Sequence, residues 1–260
     1  MLPPAKDRFK TYVASTGHTT APLPLGHTLE FVDFVNLMHA PQMARPECDV
    51  YRPERLIYYF YGRPAYKPLN RNESVSIGAF NLAGLVFDAS TMPPPHRIMP
   101  FDSGALEAGL YNHAVHTSLK REHFELNPEL SSAQKIVSKF FGSNKNYYLG
   151  RAAAPLAHPQ TELEAHAYQA LIGSRNATKA DDRRATIEFQ FDIDVDITSI
   201  RPMCVILPGD VIDAQIEEFV TITLGADLIE FVSYHDRADA DAYAIREAAR
   251  KYLDAKGLLP

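Results

Sequence analysis

The chain has 260 residues, 46% of them hydrophobic and 22% charged, with a formal net charge of −6. That length buries a full core as one large domain or two small ones, and the composition is that of an ordinary globular protein rather than a fibrous or disordered one. The acidic balance excludes a broad non-specific nucleic-acid surface, which needs excess Lys and Arg to neutralise phosphates. A small basic cleft remains compatible with it, since Arg63, Lys67 and Arg71 lie close together in sequence.

No apolar run approaches the length of a membrane span, and residues 1–7, Met-Leu-Pro-Pro-Ala-Lys-Asp, lack the apolar core of a signal peptide. A cytoplasmic location with no membrane partner is the resulting expectation. Cys48 and Cys204 are the only cysteines, too few for a disulfide scaffold or a cysteine zinc site. Cys204, flanked by Met203, Val205, Ile206 and Leu207, reads as a buried small hydrophobe.

In chain order, residues 1–20 show little periodicity and are expected to form an N-terminal arm, with one α+β domain over residues 21–260. Thr28 reads as the N-cap of a helix that turns Leu29, Val32, Val35 and Leu37 or Met38 toward a core, with Pro41 bounding it and His27 at its mouth. Residues 56–61, Leu-Ile-Tyr-Tyr-Phe-Tyr, then form an aromatic strand whose end is marked by Gly62, Arg63 and Pro64. A second apolar strand follows near 81–87, and after a proline-rich turn Asp102 and Ser103 are cap residues for a short helix from Ala105.

Residues 106–175 read as helical, with helices over 131–141 and 162–172 that end at Gly142 and Gly173, and loops at 143–146 and 151–155. From Arg184 the pattern returns to strands. Ile187, Phe189, Phe191, Ile193, Val195 and Ile197 alternate with Glu188, Gln190, Asp192, Asp194 and Asp196, which predicts one buried and one polar face, the aspartates being solvated rather than a metal ladder. A strand at 203–207, a helix at 213–223, a strand at 228–234 and a terminal helix complete the chain. Irregular alternation of strands and helices favours α+β over a doubly wound sheet.

No Gly-x-Gly-x-x-Gly element follows a strand, and there is no Walker loop and no Gly-x-Ser-x-Gly elbow. His113, His116 and His123 could present imidazoles for a metal, but with no acidic partner fixed nearby the segment reads as surface and no metal site is assigned.

His27-Thr28, then the 59–66 segment Tyr-Phe-Tyr-Gly-Arg-Pro-Ala-Tyr, and finally Ala185-Thr186-Ile187-Glu188-Phe189-Gln190, occur in an order that resembles the ADP-ribosyltransferases, in particular the DarT-type DNA-modifying toxins. The resemblance covers roughly residues 23–67 and 183–200. It implies an α+β domain of split antiparallel and mixed sheets with flanking helices, and an NAD-dependent mono-ADP-ribosyltransferase that acts as a toxin or defence effector. Glu188 would match the catalytic glutamate and Arg63 the arginine that holds the dinucleotide. His27, with Thr28 beside it, would bond a ribose hydroxyl, and Tyr66 or Tyr61 would stack on nicotinamide. Asp102, Ser103 and Arg183 are assigned to substrate binding, although the 100–105 segment has no counterpart in the family pattern. Thr186 stands where arginine-modifying members carry Glu or Gln, so an arginine acceptor is not implied. NAD is the implied co-substrate, a nucleic acid or protein the acceptor, and an antitoxin a further partner.

Two other readings compete. Asp182 or Asp102 with Glu188-Phe189-Gln190 is faintly similar to the Asp…Glu-x-Lys strand of magnesium-dependent nucleases, with Gln in place of Lys. Alternatively, the chain is a non-catalytic interaction module in which the aromatic strand is core and Glu188 is a buried partner of Arg63 or Arg184.

Overall fold

The computed structural model describes residues 4–65, 81–154, 157–174, 182–233 and 238–260. It is an α+β fold built on a seven-stranded mixed sheet with helices packed around it. Its strands are β1 (Leu25–Glu30), β3 (Ile57–Tyr61), β4 (Leu82–Phe87), β5 (Arg97–Met99), β6 (Glu188–Phe191), β8 (Pro202–Pro208) and β9 (Asp227–Phe231), in the spatial order β5-β6-β3-β1-β4-β8-β9. Every neighbouring pair is antiparallel except β8 and β9. A separate two-stranded ribbon joins β2 (Gln42–Met43) to β7 (Val195–Asp196).

The centre of the sheet explains itself by composition. Strand β4, Leu-Ala-Gly-Leu-Val-Phe, is buried along its whole length between β1 and β8, as a strand covered on both faces must be. In β3 the pleat separates the aromatics. Tyr59 and Tyr61 are fully buried, Tyr59 packing edge-on against Phe87 and Phe191 and Tyr61 stacking on Phe189, while Tyr58 and Phe60 on the other face are only half-buried. The strand stops at Gly62, whose φ of +66° is open to glycine at little cost, and where an added Cβ would lie 2.5 Å from Leu23 Cδ1.

The helices are α1 (Ala5–Ala14), α2 (Phe31–His39), α3 (Ser103–Glu107), α4 (Leu130–Phe140), α5 (Asn144–Tyr148), α6 (Leu163–Gly173), α7 (Ala214–Glu218) and α8 (Ala238–Ala255). Among the described residues, no helix is long and apolar enough to cross a membrane.

Four expectations are corrected. The N-terminal segment is not an irregular arm: α1 buries Phe9 and Val13, and Phe9 packs edge-on against Phe124 and Tyr168. His27 and Thr28 do not open a helix, because the stretch from Leu25 pairs residue by residue with β4 and the helix begins only at Phe31. The loop expected at 143–146 instead starts helix α5, capped by the Ser143 side chain accepting the Asn146 N–H. The alternating stretch after Ile187 is two short strands rather than one, and the first is buried on both faces, Glu188 and Gln190 included, instead of on one.

Candidate active site

Strands β1, β3 and β6 and the N-terminus of α3 surround a cleft of about 550 Å³, within the size range of small-molecule sites. His27 and Thr28 come from β1, Tyr58 and Phe60 from β3, Glu188 from β6, Asp102 from the cap of α3, and Arg183 from the 3-10 turn that leads into β6. An adjoining chamber of about 460 Å³ shares His27, Leu29, Asp33 and Tyr58 and is walled by Leu37, Met43, Leu56 and Ile57.

Glu188 lines this cleft with a carboxylate held by several donors. Its residue is 2% exposed. Oε1 accepts from Ser103 Oγ at 2.8 Å and from Gln190 Nε2 at 2.6 Å, while Oε2 accepts the Ser103 backbone N–H at 3.2 Å. Burial, and after it the charge of Asp102, push the Glu188 carboxyl up to about 8, against the lowering effect of these donors. A carboxyl that titrates near neutrality can act both as a charge and as a proton carrier.

Asp102 is fixed from two directions. Its Oδ1 accepts the Ala105 N–H at 2.7 Å, the capping bond that the sequence predicts, and its Oδ2 meets Arg183 Nη1 at 2.9 Å. The cap thereby does two jobs, starting α3 and holding an arginine at the cleft wall.

His27 Nδ1 lies 2.8 Å from the Tyr58 carbonyl oxygen. A carbonyl only accepts, so Nδ1 carries the proton, and burial lowers the imidazole pKa, which favours the neutral ring with Nε2 as an acceptor. Thr28 Oγ1 is buried with no hydrogen-bond partner among the described residues, a group that a bound hydroxyl would satisfy.

The structure thus gathers Glu188, His27, Thr28, Asp102, Ser103 and Arg183 into one place, Ser103 through its bonds to Glu188. Two assignments are corrected. Arg63 is 1% exposed and is not part of the cleft wall; its Nη1 donates to the carbonyls of Tyr147 at 3.4 Å and Ala185 at 3.3 Å. It ties the end of β3 to the loop before β6 and to α5. Tyr61 is likewise core: its hydroxyl accepts the Leu23 N–H at 2.9 Å, and its ring stacks on Phe189. Tyr66, Lys67 and Arg71 lie outside the described residues.

The sequence reading passed over Tyr58, and it considered Gln190 only as the stand-in for a nuclease lysine rather than as a partner of Glu188. The signal was in the pleat: Phe60 pairs with Glu188 and Tyr58 with Gln190, so residues 58, 60, 188 and 190 share a face that 59 and 61 cannot reach. Glu188 bonds to Ser103 and Gln190 rather than to Arg63 or Arg184, which removes the ion pair on which the interaction-module reading depended. His113 lies near the Leu110 carbonyl and Ser174, and His116 near Ser118, all on the surface. Among the described residues, no three His, Cys, Asp or Glu side chains gather to hold a metal.

No protein-family model matches the chain, and no curated protein and no solved structure matches it either.

Proposed function

We propose that the cleft binds NAD and that the protein cleaves the nicotinamide–ribose bond, transferring ADP-ribose to an acceptor. The observation that carries this reading is the meeting of Glu188 with His27 and Thr28 in one ligand-sized hollow, from strands far apart in sequence.

The donor set suits the ligand. His27 Nε2 accepts a ribose hydroxyl proton and the unpartnered Thr28 Oγ1 takes a second contact. Tyr58 and Phe60 offer aromatic walls to a flat pyridinium ring. With Arg63 sealed away, the pyrophosphate contact falls to Arg183, held in place by Asp102.

In the reaction the bond between ribose C1′ and the pyridinium nitrogen breaks, and its electron pair leaves with neutral nicotinamide. Ionised Glu188 stabilises the positive charge that develops on the ribose, as a carboxylate does at a glycosidic bond. The acceptor X–H then forms a bond to C1′ and gives up its proton, which Glu188 takes and passes to solvent. Tyr58 and Phe60 keep bulk water from competing with the acceptor.

The test is release of nicotinamide from NAD labelled in the nicotinamide ring, with DNA, RNA and cell protein offered in turn as acceptors. Wild-type protein releases label, and Glu188→Gln is slower by a factor of ~100 or more. Equal release by the two proteins, or none with any acceptor or with water, overturns the reading.

A further inference from the structure

We infer that Arg97 and Gln190 are positioning residues for Glu188, forming a directed hydrogen-bond relay from Arg97 through Gln190 to the carboxylate. The inference rests on the reading of Glu188 as the reacting group.

Arg97 on β5 stands directly opposite Gln190 on β6. Its Nη1 donates to Gln190 Oε1 at 2.6 Å, and Gln190 Nε2 donates to Glu188 Oε1 at 2.6 Å, with Ser103 Oγ 3.4 Å away. The order of these bonds is dictated by chemistry. A guanidinium has only donors, so the end of the amide that faces Arg97 must be the carbonyl, and the end that faces Glu188 must be the NH₂. Without that constraint the amide could turn over and set its own oxygen against the carboxylate.

Arg97 is itself held. Its Nη1 and Nη2 each lie 3.2 Å from a Glu54 oxygen and its Nε 3.2 Å from Glu125 Oε1. Its guanidinium lies 3.9 Å from the centre of the Tyr51 ring, which Arg121 also contacts at 3.9 Å. Gln190 is fully buried, so both ends of its amide are committed and it has no water to turn toward. The relay fixes one oxygen of Glu188 and keeps a donor on it as it ionises. Among the described residues, the other charged or titratable groups facing this region are Asp102, Arg183, His27, Glu30, Asp33, Glu47, Asp49, Cys48, Tyr58 and Tyr51 around the cleft, and His96 and Arg121 beside Arg97 and Tyr51.

The experiment is an NMR titration of protein labelled with ¹³C at the glutamate side-chain carboxyl, the Glu188 signal being identified by its loss in Glu188→Gln. Arg97→Met and Gln190→Leu each move the Glu188 midpoint upward by about one pH unit, the size of one hydrogen bond to a charged group. Arg97→Lys, which still donates to the Gln190 carbonyl, brings it back toward the wild-type position. A merely structural role for Arg97 would lower the melting temperature of Arg97→Met and leave the midpoint in place, and that result overturns the inference. Should Arg97→Met fail to fold, an unmoved midpoint in Gln190→Leu overturns it equally. The titration uses no NAD, so failure of every form to release nicotinamide would count against the proposed activity and leave the relay standing.

Discussion

Replacing Glu188 by Gln should change how the stability of the protein depends on pH, and the sign of the effect reverses across the accessible range. In the unfolded chain the carboxyl titrates near 4.5, and in the fold burial and Asp102 raise it to about 8. Between those values the folded state holds a proton that the unfolded state has lost, so wild-type stability falls as pH rises through the window. The whole span corresponds to on the order of 4 to 5 kcal/mol. A glutamine does not titrate. At pH 4.5 the variant is the less stable protein by ~1–2 kcal/mol, because its amide N–H opposes the Ser103 N–H that Oε2 accepts in the wild type. At pH 9 the wild type must keep a buried charge beside Asp102, and the variant is the more stable by ~2–3 kcal/mol. Burial also lowers the pKa of His27 and His158, which costs stability as pH falls, but both proteins carry these groups and the effect cancels in the difference. Urea denaturation of the two proteins at matched pH between 4.5 and 9 gives that difference directly. A difference that stays constant within about 0.5 kcal/mol would refute the assignment of a neutral, buried Glu188 to the folded state at low pH.

Arg63→Met removes the donor that two buried carbonyls share, and it should cost ~2–4 kcal/mol in urea denaturation while leaving NAD affinity within about twofold; a selective loss of NAD binding would restore Arg63 to the cleft. Asp102→Asn takes away the neighbouring charge that helps to raise Glu188, so the Glu188 midpoint in a carboxyl titration should move downward. An unchanged midpoint would mean that burial alone sets it, and a higher one would contradict the effect assigned to the Asp102 charge.

The sequence placed the sheet better than it placed the site. Strands β3, β4 and β8 are apolar or aromatic runs bounded by Gly, Pro or Asp, and such runs declare themselves locally. The Asp102 cap was legible for the same reason, and its second bond to Arg183 was not, since that contact joins residues far apart in the chain. His27 was misplaced because Leu29, Val32 and Val35 suit a helix, whereas six paired positions with β4 extend the strand to Glu30. Arg63 illustrates the opposite limit. An arginine between glycine and proline at a strand end reads as aimed at a ligand, and only the approach of α5 and of the loop before β6 shows that it is aimed at two carbonyls. Ser103 was assigned to the site and does bond Glu188, whereas the contact of Arg97 with Gln190 was not legible, because it joins strands 93 residues apart in the chain.

The most direct measurement is a structure of the protein soaked with NAD, using Glu188→Gln to prevent turnover. The nicotinamide ribose is expected within hydrogen-bond distance of residue 188 and of His27 Nε2, with the ring against Tyr58 or Phe60. A dinucleotide bound elsewhere on the molecule, or none at saturating concentration, would contradict that expectation.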